Sequence, residues 1–598
     1  MKFNNTYYPG SYIISPLEIS ESLSDYSVIN IREYNFYLSE DILVDYTENE
    51  DGYILLIGYC FDIRDGLLSQ KNILENLLSQ NDIVSELDYI NGRYIIFRHK
   101  DEKLELYSDA SQLQPLVYHK KSRSLASHDK LLADLLRDNE AEIKQREDLS
   151  HHTELDYTRF YEVFKLNPSL MLDMNIFTFT RIYPRTDLTE ETPEKIHKEI
   201  TPYLDESINW LKNNKNEKFL TITGGIDSRV SASLSKGVSE IEYLTYLTPQ
   251  KKLATKMAKN IYKIDEDITR QMKSNLGWKH EIINIFNYQV PKEQYKEYNA
   301  LFNSKHSFGL RNYYENHKNY RHALHVKSTV FGMGKADFKM NLDNPEENVD
   351  FYTSCLHGLP DTLISSDSFD EEIKEYYERN LVDEGVTRGR HYFDMFHLES
   401  RMGNWHSTLT LETDPQTDEF IFTNTRLLID YIQQPSISER RDYTLYKKII
   451  NNYWPALLHF GINNNLNYYE QETKNNFSCA NLNIKGSSNL VFDVKADQLS
   501  AKPKKTPISF DDLFTIKLDS SENKKYLLKS TYSNPKGQGN IRVIIRTNKE
   551  HNVYDITKLN DGVEIDVSPE GILIIMMYNR QFINSSWKDA GELLLESL

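Results

Sequence analysis

Within seven residues, Thr223-Gly224-Gly225-Ile226-Asp227-Ser228-Arg229 gathers the groups needed to grip a pyrophosphate. Two glycines let the main chain approach an anion closely. The hydroxyls of Thr223 and Ser228 add donors, Arg229 adds a cation, and Asp227 offers a hard oxygen for Mg²⁺. No Gly-Lys-Ser/Thr follows the glycines, so this is not the other common phosphate loop. A bare Gly-Gly-x-Asp-Ser also occurs as a plain turn, and the flanking elements therefore decide.

Glu217-Lys218-Phe219-Leu220-Thr221-Ile222 predicts a short buried strand before the loop. Val230–Ser235, stopped by Gly237, predicts a short helix after it. Strand, glycine turn and helix aim free N–H groups and the positive helix end at an anion. Ile241–Leu247 predicts the next strand, ended by Thr248-Pro249, and Thr245 near its end joins the nucleotide-binding set. A helix is expected from Asp267 onward, then a strand at Glu281–Ile285. Such alternation implies a parallel sheet with ligands at the strand carboxyl ends.

The loop resembles the Ser-Gly-Gly-x-Asp-Ser pyrophosphate loop of the asparagine synthetase family, which implies ATP and Mg²⁺. Val330-Phe331-Gly332-Met333-Gly334-Lys335-Ala336-Asp337-Phe338 resembles that family's Gly-x-Gly-x-Asp-Glu segment. The resemblance implies Asp337 as a second Mg²⁺ carboxylate beside Asp227; here Lys335 intrudes and the acidic pair is a single residue. His397–Trp405, Glu412 and Phe422–Leu428 resemble the helical half of synthetase-like members from polysaccharide and natural-product pathways. Glu399 and Arg401 are either charges in the cleft or an ion pair binding helices, and Trp405 is expected in the core. The family's lysine loop has no counterpart in Trp454–Asn463. Lys447, Lys448, Lys327 and Lys335 are the substitutes; Lys335, Lys447 and Glu399 are taken as the catalytic candidates.

Ahead of the loop, Ile54–Tyr59 and Tyr94–Arg98 predict buried strands, Ile73–Leu78 a helix, and Asn91-Gly92 a tight turn. Gly92–Phe97, Ser108–Tyr118, Leu166–Ser169 and Arg181–Pro184 resemble, in order, elements of the amidotransferase domain that precedes the synthetase domain. Working glutaminases of that class carry a nucleophilic cysteine at position two. This chain has Lys2, and its nearest cysteine is Cys60 in an expected strand, so glutamine hydrolysis is not expected, as in relatives resembling β-lactam synthetases. The implied fold class is multidomain α+β and α/β. Residues 1–185 form an Ntn-hydrolase-like αββα sandwich, and 190–472 a parallel-sheet synthetase domain of adenine-nucleotide α-hydrolase type with a helical half. Residues 475–598, outside the family's ordinary architecture, show short strands and turns such as Asn534–Gly537, which predict a β-sandwich.

Composition narrows the partners. A formal charge of −19 argues against nucleic acid, which needs a basic face. No run has the apolar length of a membrane span, and the N-terminus has no signal-peptide core, so cytoplasmic residence is expected. The three cysteines and 17 histidines show no disulfide or metal spacing, His151-His152 being adjacent. The expected activity is an ATP-dependent ligase joining a small carboxylate to ammonia or an amine. The alternative is a degenerate synthetase kept as a nucleotide-responsive binding or assembly subunit. A carbohydrate or a protein is the expected ligand class for the C-terminal module, and a homodimer is left open.

Overall fold

The computed structural model describes residues 9–19, 26–146, 155–302, 306–337, 369–383, 385–463, 467, 476–479, 482–495, 498–505, 508, 512–532, 541–547, 550–578 and 591–598. Lys2, the His151-His152 pair and the Asn534–Gly537 turn lie outside them. The chain forms two compact units, residues 1–337 with 350–457, and residues 338–349 with 458–598. The fold is mixed, with one parallel sheet and several antiparallel ones. Among the described residues no helix is long and apolar enough to cross a membrane.

The first unit begins with two six-stranded antiparallel sheets laid face to face. Side-chain alternation in their strands builds the layers. In the strand Gly52–Asp62, Leu55 and Ile57 join a core with Tyr12, Ile14 and Phe36 of the opposite sheet. Ile54, Leu56 and Cys60 point the other way, onto Ile73, Leu74 and Leu77 of the helix Gln70–Ser79. Ile13 likewise leaves the inter-sheet core for Leu131, Leu132 and Leu135 of the helix Asp129–Asp138. Helix, sheet, sheet and helix therefore stack in four layers. Asn91-Gly92 is not a turn: both residues sit inside the strand Ile90–Lys100, opposite Phe61 and Cys60. Glycine is needed there because a Cβ would fall 2.2 Å from the Tyr59 carbonyl oxygen, at a φ of +141°.

The same unit holds a five-stranded parallel sheet. Its spatial order is His280–Asn284, Glu242–Leu247, Lys218–Thr221, Ala323–Val326, Thr417–Phe420. Strand order reverses between Lys218–Thr221 and Ala323–Val326, and a crevice for ligands opens at such a reversal, beyond the carboxyl ends. The helix expected from Asp267 starts much earlier and spans Lys256–Leu276, with Thr255 accepting from the Ala258 N–H and Gly277 closing it at φ +64°. Among its described side chains the buried apolar ones are Ile264, Ile268 and Met272, all beyond the second turn, which hid the polar first turns from a hydrophobic pattern.

The second unit is a pair of antiparallel sheets, of six and five strands, closed on one core that includes Leu518, Val543 and Ile574 from one sheet and Leu528, Val567 and Leu595 from the other. Strands Gln498–Pro503 and Leu593–Ser597 belong to the five-stranded sheet and His551–Asp555 to the six-stranded one.

Candidate functional site

The loop residues are positioned by a short strand and an almost wholly buried helix. Phe219 and Leu220 seat Lys218–Thr221 in the sheet. The helix is Ile226–Leu234 with Gly225 as its N-cap, so it starts inside the motif, earlier than the sequence suggests. Small residues let it pack closely, and their hydroxyls are satisfied: Ser233 Oγ donates to the Val230 carbonyl at 2.7 Å, and Ser328 Oγ to Ser231 Oγ at 2.7 Å.

The loop braces itself. The Thr223 N–H donates to Ser228 Oγ at 3.1 Å, and the Gly225 N–H to Thr223 Oγ1 at 3.1 Å. The Gly224 N–H donates to Asp265 Oδ1 at 2.8 Å, on the helix Lys256–Leu276 behind the loop. A Cβ on Gly224 would lie 2.8 Å from that carboxylate oxygen and 3.1 Å from Ile268 Cδ1. Gly224→Ala is therefore expected to cost about 1–3 kcal/mol as the helix is pushed off the loop, measurable by urea titration. Arg229, fully buried, points to the rear, where it donates to the carbonyls of Gly224 and Leu457, both at 3.2 Å. Thr245 also lies inside, donating to the Ile222 carbonyl at 2.7 Å and lying 2.9 Å from His280 Nε2. Both residues hold the loop's support; neither lines the cleft.

In front of the loop is a cleft of about 920 Å³, opening where strand order reverses. Thr221, Thr223, Asp227 and Ser228 form one wall, and Lys327, Ser328 and Thr329, following the strand Ala323–Val326, form the other. Tyr246, Tyr314, Trp405 and three histidines close it. Burial pushes the pKa of His306 down and those of His325 and His406 far down, so these imidazoles favour the neutral form. Trp405 lines the cleft, half-buried and edge-on to His306 at 5.0 Å, not in the core as expected. A second recess of about 910 Å³ shares Tyr246, His306 and Leu310 with the cleft, and among the described residues no Asp, Glu, Lys or Arg lines it.

Two lysines bring positive charge to this region. Lys327 Nζ is held 2.9 Å from Glu419 Oε1. Glu419 is fully buried and lies 3.5 Å from the Arg93 guanidinium, which in turn grips Asp414 through two bonds of 2.6 and 2.7 Å. Lys335 Nζ stands between the two expected metal ligands, 2.9 Å from Asp227 Oδ2 and 3.0 Å from Asp337 Oδ2. Burial works against its charge, but Asp227 and Asp337 outweigh it and its pKa ends above the ordinary value. Burial raises the Asp227 carboxyl, partly offset by Lys335.

The segment carrying Lys335 is firmly clamped. Tyr446 Oη donates to the Phe331 carbonyl, Arg440 to that of Met333 and Arg441 Nε to that of Ala336 at 3.1 Å. Gly334 is required by close approach, since a Cβ would meet Tyr446 Oη at 2.1 Å.

The remaining candidates fall elsewhere. Glu399 accepts from Arg181 at 2.5 Å and from Asn167 Nδ2 at 3.1 Å, joining the antiparallel layers to the helical half, while Arg401 is exposed. Lys447 sits half-buried on the helix Thr444–Tyr453, outside the residues that line the cleft. Cys60 is buried in its strand, and burial raises its thiol pKa, so it offers no thiolate. The histidines, Tyr246 and Asp265 escaped the sequence reading because nothing in their spacing links them. They meet only through the strand order.

No family model and no curated protein matches the chain. Among solved structures it is similar to an NH3-dependent NAD synthetase from Campylobacter jejuni, with 15% identity, 36% of this chain and 93% of that one covered, and a TM-score of 0.17. A glutamine phosphoribosylpyrophosphate amidotransferase from B. subtilis, complexed with ADP and GMP, gives 8%, 64%, 89% and 0.15 for the same quantities. A two-domain esterase active on acetylated mannans gives 9%, 69%, 96% and 0.12. Scores this low carry no argument about this chain, and the functional reading rests on the geometry above.

Proposed function

We propose that the protein is an ATP-dependent amide-forming ligase without glutaminase activity, of asparagine synthetase-like kind. The observation that carries this reading is the glycine loop and helix N-terminus at the point of strand-order reversal, with Asp227, Lys335 and Lys327 grouped around it. The carboxylate of a small acid attacks the α-phosphorus of ATP, its oxygen forming a new P–O bond as the bond to pyrophosphate breaks. Ammonia or an amine then attacks the acyl-adenylate, expelling AMP. The hydroxyls of Thr223 and Ser228 and the helix end hold the departing pyrophosphate, and the two ammonium groups spread the charge that develops on it. The uncharged recess beyond Tyr246 and His306 suits an apolar or aromatic part of the substrate over an anionic one.

Asp227 Oδ1 is buried without a hydrogen-bond partner among the described residues, which fits a cation that seeks oxygen. Mg²⁺ held by Asp227 would neutralise phosphate charge when bound with the nucleotide.

One observation favours the second reading, a nucleotide-responsive binding subunit: the N–H groups of Thr223, Gly224 and Gly225 are all engaged within the protein. Exchange of labelled pyrophosphate into ATP, run over a panel of amino acids, uronic acids and peptides, separates the two. Under the ligase reading one acid supports exchange, and Asp227→Ala lowers it by about a hundredfold or more. Asp227-dependent ATP binding with no exchange for any acid selects the second reading. Absence of ATP binding removes both.

A further inference from the structure

We propose that the Lys335 ammonium is a built-in counter-ion occupying the bridging position between Asp227 and Asp337, so that the site takes a polyphosphate nucleotide with one divalent ion fewer than two facing carboxylates would recruit. For its ligand this rests on the nucleotide reading above; for its cation it rests on the ion trio alone. Distances of 2.9 and 3.0 Å to the two carboxylate oxygens are those of charge-assisted N–H···O bonds. A magnesium ion would hold the same oxygens at about 2.0–2.1 Å and resist losing its waters. The chain sets these carboxylates around an ammonium.

The arrangement is anchored rather than incidental. The Lys335 side chain is 18% exposed on a backbone fixed at Phe331, Met333 and Ala336, and Ala336 holds φ +50°, turning the chain back so that residues 335 and 337 flank one point. An ammonium carries three N–H donors, two of which reach Asp227 and Asp337. The third is left for a phosphate oxygen. Two carboxylates and one ammonium leave a single net negative charge, which one cation arriving with the nucleotide would meet at Asp227 Oδ1, an atom with no other partner among the described residues. Asp337 is then a ligand of Lys335 and not of a metal.

Two measurements on the full chain test this. The first titrates Mn²⁺ without nucleotide, read by electron paramagnetic resonance. Wild type is expected to take up no tightly held ion, whereas Lys335→Ala frees the facing carboxylates and raises affinity by about tenfold or more. Equal Mn²⁺ affinity in the two proteins overturns the inference, whatever the fate of the nucleotide reading. The second compares ATP binding by calorimetry in Mg²⁺ and in chelator. Wild type is expected to lose only a few-fold in chelator, and Lys335→Ala about tenfold or more. Lys335→Arg, keeping the charge, is expected to behave like wild type. Equal Mg²⁺ dependence in wild type and Lys335→Ala overturns the inference while leaving the nucleotide reading intact. Thermal melts confirm that each variant is folded.

Discussion

Arg93→Met is expected to destabilise the first unit by about 3–5 kcal/mol, because it strands a buried carboxylate. The Arg93 side chain is 4% exposed and so is that of Asp414, its bidentate partner. Glu419 would keep Lys327, and Asp418 would keep His322 at 3.0 Å, but the described structure shows Asp414 no other ionic partner. Thermal or urea unfolding reads the effect, and pH supplies its signature. Burial already lifts the Asp414 carboxyl to about 6 against the opposing pull of Arg93, and removing the guanidinium lifts it further. For a carboxyl raised in the folded state, stability is fully present below its unfolded value and is lost as pH rises through the folded one. The deficit of Arg93→Met is therefore expected to be largest above about pH 6 and to shrink toward acid. A deficit equal at acidic and alkaline pH would show that the ion pair is not its source. Adding Asp414→Leu should recover most of the loss, since a buried pair replaced by apolar groups is often nearly neutral.

Arg440→Met carries a comparable cost, about 3–5 kcal/mol, and separates stability from site geometry. Arg440 and Asp394 are 3% and 5% exposed and joined through bonds of 2.8 and 2.9 Å. The same guanidinium also donates to the Met333 carbonyl, two residues before Lys335. Arg440→Met combined with Asp394→Leu should regain stability in denaturant titration, yet ATP binding should stay weak, because the anchor at Met333 is still missing. Full recovery of both would show that Lys335 is positioned without Arg440.

What the sequence made legible was local. Strand, glycine turn and helix around 218–234 follow from neighbouring residue types, as do the β-rich ends of the chain. Strands Ile541–Arg546, Val563–Val567 and Ile572–Tyr578 lie where their β-branched runs put them. Gln498–Pro503, with no β-branched or aromatic residue, gave no such signal. The Asn91-Gly92 pair mimics a hairpin turn, but its glycine answers a close strand crossing that no local pattern encodes. Glu399 offered a charge of the right kind in a plausible place, and only the packing of Arg181 against it shows where that charge is used. Lys335 read as an intrusion into a metal-binding segment because sequence gives order and not distance; its two ion pairs make it the centre of that segment.

The partnerships that finish the cleft join residues very far apart along the chain. Asp414 follows Arg93 by 321 residues, and the Met333 carbonyl waits for a donor 107 residues later. During synthesis the two antiparallel layers, paired mainly among near neighbours, can close while Arg93 still faces solvent. The glycine loop can form its strand and helix soon afterwards. The charge chain behind Lys327 waits for Glu419, and the clamp on residues 331–336 waits for the segment through Tyr446, to leave the ribosome. An incomplete chain thus carries the glycine loop without the lysines in place, and under the proposed function competence to bind nucleotide arrives late in folding.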